Sequence, residues 1–167
     1  MSFDFRIFVE ALASTALLRG ALITILLAAA VQTASFLLSL PVASGLFSPK
    51  RPLRLTLKLY VWFFRAAPLL LILLFTWNGL PQIFPALRSR WFNPFLAAFI
   101  AMTIAGVAYN AEIMRSALAS VGTGQREAAA ALGLHRFQIF FLVVLPQAMR
   151  VAMPPLMNEF ISTLKAT

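Results

Sequence analysis

The chain has 167 residues, of which 61% are apolar and 11% charged, with a net charge of +9 and no cysteine. Soluble domains carry about a quarter charged residues, so this composition belongs to a membrane protein. The missing cysteines exclude disulfides, thiolate metal sites and cysteine nucleophiles, and the single His135 cannot form a metal cluster alone. The basic residues fall in short clusters between apolar runs, as orientation-setting flanks do, so nucleic acid is not expected as a partner.

In chain order, the first apolar run extends from about Leu17 to Leu46, with Pro41 near its end. No charge lies between Arg19 and Lys50, and Gly20 to Leu40 alone supplies the roughly 20 helical residues that a bilayer requires. A secretory signal would have a shorter apolar core and a small-residue cleavage site, so this is read as a retained span. A second span is predicted from about Leu59 to Trp77 and a third from about Phe95 to Ala111. The fourth candidate, about Val151 to Leu164, is short and holds Pro154, Pro155, Asn158 and Glu159, which suits a helix packed on protein or lining a cavity. The expected fold class is therefore all-α, a multi-pass transmembrane bundle forming one domain over residues 1–167.

The loops set the orientation. The 48–58 connection carries Lys50, Arg51, Arg54 and Lys58, and the stretch after the third span carries Arg115, Arg126, Arg136 and Arg150. By the positive-inside rule both are cytoplasmic, which leaves the N-terminus and the 79–94 loop outside, although Arg88 and Arg90 lie in that outer loop.

The segment from Gly124 to Pro155 reads as two short helices about a glycine. Thr123 or Gly124 can start the first, placing Glu127 in its first turn, where an acid complements the helix dipole. Ala128 to Ala131 are strong helix formers, and Gly133 is a natural left-handed terminator. The second helix is expected to gather Phe137, Phe140, Phe141 and Val144 on one face, after which Leu145-Pro146 redirects the chain. On physical grounds the hairpin is equally an interfacial connector or a flat helix made to enter a groove of another protein.

Within the spans, charges are expensive and generally face a cavity or a partner. Glu112 lies three residues before Arg115, the spacing of a helical ion pair. Arg65 precedes Pro68, whose missing backbone donor opens polar groups nearby. Arg65, Pro68, Glu112, Asn158 and Glu159 are the candidates for a polar path, and for Arg65 a snorkelling, structural role near the cytoplasmic face is an equal alternative. No metal pair, Ser-His arrangement or paired aspartate lies within the spans to suggest an intramembrane enzyme.

Glu127-Ala128-Ala129, followed by Gly133 and by Leu145-Pro146, resembles the EAA signature of permease subunits in ATP-binding-cassette importers. Ala108-Tyr109, Ala111-Glu112, Arg115, Val121, Gly124-Gln125, Gln147-Ala148, Pro154-Pro155 and Asn158-Glu159-Phe160-Ile161 are similar to the polar amino-acid uptake family, as are Phe64 to Leu70 and Gly79-Leu80-Pro81. The resemblance covers nearly the whole chain. It implies the fold of a type I importer permease, in the inner membrane of a bacterial cell. It also implies that residues 122–148 form a cytoplasmic coupling loop, with Gly124, Glu127, Ala128, Ala129, Gly133, Leu145 and Pro146 contacting an ATPase.

The partners so implied are two cytoplasmic ATP-binding subunits, a second identical or similar permease subunit, and an extracytoplasmic amino-acid-binding protein. The chain has no GxxxxGK[ST] phosphate loop and no cofactor is expected, so ATP hydrolysis would belong to a partner. Ala66-Ala67 replace the usual Gly-Thr, Trp62 and Ile72 stand where Glu and Gln are common, and Ala166 follows Lys165 where an acid is usual. These changes remove polarity from the implied path and hint at a less charged substrate. The family continues with a turn and another span beyond the position of Thr167. The expectation is thus a bundle lacking its last helix, either a working subunit or a non-transporting scaffold that still docks the ATPase.

Overall fold

The computed structural model describes Phe5 and residues 14–167, and among these it contains helices and no strand. The expectation of an extracytoplasmic N-terminus concerns residues largely outside that range. Helix α1 spans Thr15–Gly45 and begins where the Ser14 hydroxyl accepts from the Leu17 amide at 3.3 Å. Pro41 lies inside it without ending it. Helix α2 spans Arg51–Ala66, α3 Leu69–Leu74 and α4 Leu80–Ile83, with a π-helical turn at Phe75–Gly79 between the last two. A 3-10 turn at Pro85–Arg88 follows, and Trp77 stacks on Phe92 at 5.9 Å between ring centres.

Helix α5, Pro94–Ser120, starts at a strong cap: the Asn93 side chain accepts from the Leu96 amide at 2.9 Å, and Pro94 supplies the pre-set first turn. Helix α6 is Thr123–Ala131, α7 is the short turn Arg136–Gln138, and α8 is Leu145–Ala166. A second π-helical turn, Ile139–Val144, joins α7 to α8.

Three helical stretches, Thr15–Gly45, Pro94–Ser120 and Arg136–Ala166, are long and apolar enough to cross a membrane. The second expected span is not one straight helix. It starts earlier, at Arg51, and bends by 103° between α2 and α3–α4. Pro68 causes this, because it cannot donate to Phe64 and biases Ala67 toward the extended conformation that it adopts (ψ 132°). The fourth span is not short either. Leu145-Pro146 does not redirect the chain: the Leu145 amide reaches back five residues to Phe140, and the widened turn feeds Pro146 into the start of α8.

Helix α5 is the hub, packing against α1, α2, α3 and α8. Small residues let it approach α1 closely. Ala28, Ser35, Ala101, Ala108 and Ala111 are fully buried, and a Cβ placed on Gly106 would meet the Ser35 Cβ at 3.0 Å. Across this contact the Asn110 amide donates to the Ser35 hydroxyl at 2.9 Å. A core of Ala43, Val61, Met114, Leu118, Val144 and Ala152 joins α1, α2, α5 and α8 at one end of the bundle. Large apolar side chains such as Leu22, Leu26, Leu37 and Leu38 remain exposed on α1, as expected of a surface solvated by lipid.

Candidate functional site

Helix α6 is short and rich in alanine, and it ends as its sequence dictates. Gly133 has φ +78°, its amide donates to Ala130, and the Leu134 amide donates to Ala129. These two bonds form a Schellman closure, for which a left-handed glycine is the natural residue. The helix starts at Thr123 with Gly122 as its cap, so Glu127 lies beyond the first turn and Arg126 closes that turn. The dipole role expected for Glu127 is therefore lost. His135 restarts the chain by capping α7: its ring accepts from Phe137, and the Gln138 side chain accepts from the His135 amide at 2.8 Å.

Two side-chain links hold α6 to the bundle. Arg126 donates to the Leu118 carbonyl oxygen at 3.1 Å, at the end of α5. Gln147 on α8 donates to Gln125 on α6 at 3.5 Å. Ala129 is buried, whereas Gly124, Glu127, Ala128 and Gly133 are exposed, as is Pro146 at the foot of α8. Sequence reasoning missed Leu132, whose side chain is 82% exposed at the tip of α6. A leucine immediately before a glycine terminator is ordinary, and only the folded geometry shows it uncovered. The aromatic face expected on the second helix is split. Phe140 packs on the core with the buried Val144, while Phe137 and Phe141 lie exposed, because the π-turn shifts their register.

The candidate path residues fall around two cavities. One, of about 180 Å³, lies at the bend and is lined by Ala67, Leu69, Gly106, Tyr109, Glu159 and Thr163, among others. Pro68 shapes it by turning α3 away from α2, but Asn158 does not line it and is exposed. The other, of about 520 Å³, is lined by Phe47, Lys58, Trp62, Arg65, Glu112 and Arg115, with Leu46 and Val61. Here the expected ion pair is present: the Arg115 guanidinium holds both Glu112 oxygens, at 2.6 and 2.9 Å. Arg65 lines this second cavity and not the one at the bend. Its guanidinium lies 5.7 Å over the Tyr109 ring.

Residues 35–167 match the family described as "Binding-protein-dependent transport system inner membrane component", and the chain belongs to that family. It is similar to the probable amino-acid permease protein YxeN of Bacillus subtilis, at 44% identity over 110 residues, covering 66% of this chain and 48% of that one. The probable amino-acid ABC transporter permease protein YckA of the same organism is 36% identical over 150 residues, covering 90% of this chain and 64% of that one. The chain thus spans about half to two-thirds of the length of these relatives. Among solved structures, that of an amino acid ABC transporter with histidines superimposes with a TM-score of 0.84 at 34% identity, covering 99% of this chain and 74% of that one. An inward-facing MetNI methionine transporter shares the fold, with a TM-score of 0.72 at 23% identity.

Proposed function

We propose that this chain is a permease subunit of an ATP-binding-cassette importer for amino acids, coupled to separate ATPase subunits through residues 122–148. The observation that carries the reading is the build of α6. It is a flat, alanine-rich helix closed at Gly133, exposing Glu127, Ala128 and Leu132, yet tied to α5 by Arg126 and to α8 by Gln125–Gln147. A helix that moves in a partner's cleft would pull on two spans through these links. Glu127 is offered to the partner's basic groups, and Leu132 to an apolar hollow. The curated relatives named above as amino-acid permeases, and the superimposed amino acid transporter, support the substrate class.

In this reading the coupling loop and the 48–58 connection are cytoplasmic, following their arginines and lysines, in a bacterial inner membrane. Two ATP-binding subunits, a second permease subunit and an extracytoplasmic binding protein complete the assembly, and ATP is hydrolysed outside this chain. The substrate passes the chamber at Pro68, where Glu159, Tyr109 and Thr163 offer polar groups among apolar neighbours. Arg65 and Glu112 line the neighbouring cavity rather than this chamber, and Asn158 lies on the exposed face of α8. Ala67 and Ala166 line the same chamber, which favours amino acids without a charged side chain.

The test is ATP-dependent uptake of labelled amino acids into proteoliposomes holding this chain, its ATPase and its binding protein, beside a Glu127→Arg variant. Uptake that the variant abolishes is expected. A wild-type chain that binds the ATPase yet supports no uptake would instead identify a docking scaffold.

A further inference from the structure

The cavity beside Glu112 has a charge balance that the transport reading leaves unused. Three cations, Lys58, Arg65 and Arg115, line it against one carboxylate, and Arg115 already holds both oxygens of Glu112. Among the described residues no carboxylate lies within ion-pair distance of Lys58 or Arg65, and both side chains are exposed. Helix α2 organises this surface. Arg51, Arg54, Lys58 and Arg65 stand at offsets of 3, 4 and 7 residues, which places them in one stripe along a 3.6-residue helix. Leu57, Tyr60 and Phe64 occupy another face and pack against the cores built around α5.

The depth of the cavity identifies the kind of ligand. Helix α5 enters at Pro94, directly after the polar residues of the 79–94 loop. At 1.5 Å per residue, Glu112 and Arg115 lie about 27–32 Å farther along the axis. That distance is the thickness of a hydrocarbon core, about 30 Å, so these residues reach the far membrane–water boundary. Leu46 and Phe47, at the end of α1, line the same cavity. Around the cations, Phe47, Leu55, Leu59 and Trp62 are exposed apolar groups at half or more of their surface. Tryptophan is enriched at this level of a bilayer. Unpaired cations at headgroup depth, bordered by apolar side chains, match a negatively charged headgroup joined to acyl chains.

We infer that the cavity between α2 and α5 binds the phosphate of an anionic phospholipid through Lys58 and Arg65, with the acyl chains lying against Leu55, Leu59 and Trp62. The bound lipid would brace α2 below the Pro68 bend without taking part in the substrate chamber.

Native mass spectrometry of the full chain in detergent, titrated with phosphatidylglycerol or phosphatidylcholine, tests this directly. A cation near an anionic headgroup contributes about a fivefold change in affinity, so two give a preference for phosphatidylglycerol of roughly thirtyfold. Lys58→Gln and Arg65→Gln should each reduce the preference about fivefold. Lys58→Arg should keep it, and Arg88→Gln, in the opposite loop, should leave it unaltered. Lys58 is exposed and makes no side-chain hydrogen bond among the described residues, so its variants read binding rather than folding. Equal retention of the two lipids, or a preference that survives the Lys58→Gln/Arg65→Gln double variant, overturns the inference. Displacement of the lipid by millimolar inorganic phosphate would reassign the cavity to free anions. Displacement by a free amino acid would reassign it to the transport path.

Discussion

The Tyr109 hydroxyl donates to the carbonyl oxygen of Arg65 across 3.1 Å, linking α5 to the last turn of α2 where the second span breaks. Pro68 breaks the regular hydrogen-bond ladder at this point, and the Tyr109 hydroxyl supplies a partner to a carbonyl beside the break. The same ring lies under the Arg65 guanidinium. Tyr109→Phe keeps the ring and removes only the hydroxyl. It should therefore lower stability by about 1 kcal/mol, the net worth of one hydrogen bond, measured as a lower melting temperature in detergent. Tyr109→Ala also removes the ring beneath Arg65 and should cost more.

The contact of α1 with α5 depends on the absence of a side chain at Gly106. A Cβ there would sit 3.0 Å from the Ser35 Cβ and 3.1 Å from its hydroxyl oxygen, both on a tightly packed helix. Gly106→Val should force the helices apart and cost about 1–3 kcal/mol, as overpacking of a filled core does. Adding Ser35→Gly to that variant removes the opposing atoms and should recover part of the loss. Thermal unfolding of the two variants and the double variant measures this coupling directly.

Much of this architecture is legible in the sequence because the bilayer imposes a length on each apolar run. The helices at Thr15 and Pro94 begin within two residues of the runs expected from Leu17 and Phe95, and Gly133 ends α6 as expected. What could not be read is how the prolines act. Pro68 produces a 103° bend, whereas Pro146, Pro154 and Pro155 sit within a continuous 31-residue stretch. The difference lies in the surrounding backbone. Ala67 turns extended before Pro68, while the π-turn at Ile139–Val144 absorbs an extra residue before Pro146. The exposure of Leu132 and the tie from Arg126 to Leu118 are likewise tertiary facts, since they depend on where α6 lands against the end of α5.

The closure of α6 predicts a graded response at Gly133. With φ at +78°, a β-carbon is strained whatever the space around it, and nothing lies within 4 Å of one built there. Gly133→Ala should cost about 1 kcal/mol through backbone conformation alone. Gly133→Asn should cost less, because asparagine tolerates the left-handed region, and Gly133→Val should cost more. Since the strain is confined to the loop, its readout is the affinity for the ATPase subunit rather than the melting temperature of the bundle.

Leu132 separates docking from folding. At 82% exposure its side chain contributes little to the stability of this chain, so Leu132→Ser should leave the melting temperature nearly unchanged. If the side chain fills an apolar hollow of the ATPase, losing it should weaken association by about 2 kcal/mol, or roughly thirtyfold in Kd. Surface-immobilised wild-type and variant chains, titrated with the ATPase, give that ratio. Equal affinities would remove Leu132 from the interface.

Gln147 provides the last test, because it separates coupling from docking. Its amide nitrogen donates to the Val143 carbonyl at 3.0 Å and to the Gln125 side-chain oxygen at 3.5 Å, so it joins the foot of α8 to the first turn of α6. Gln147→Leu removes the donor and acceptor together while keeping much of the volume. ATPase binding should persist, because Glu127 and Leu132 are untouched. Substrate-stimulated ATP hydrolysis should fall several-fold, because a displacement of α6 reaches α8 less directly. Gln147→Glu serves as the discriminating control. A carboxylate at 147 can still accept from the Gln125 amide once that group turns over, so this variant should retain most of the stimulation although its bond to Val143 is gone. Equal loss in both variants would assign the effect to the start of α8 rather than to the bridge between the helices.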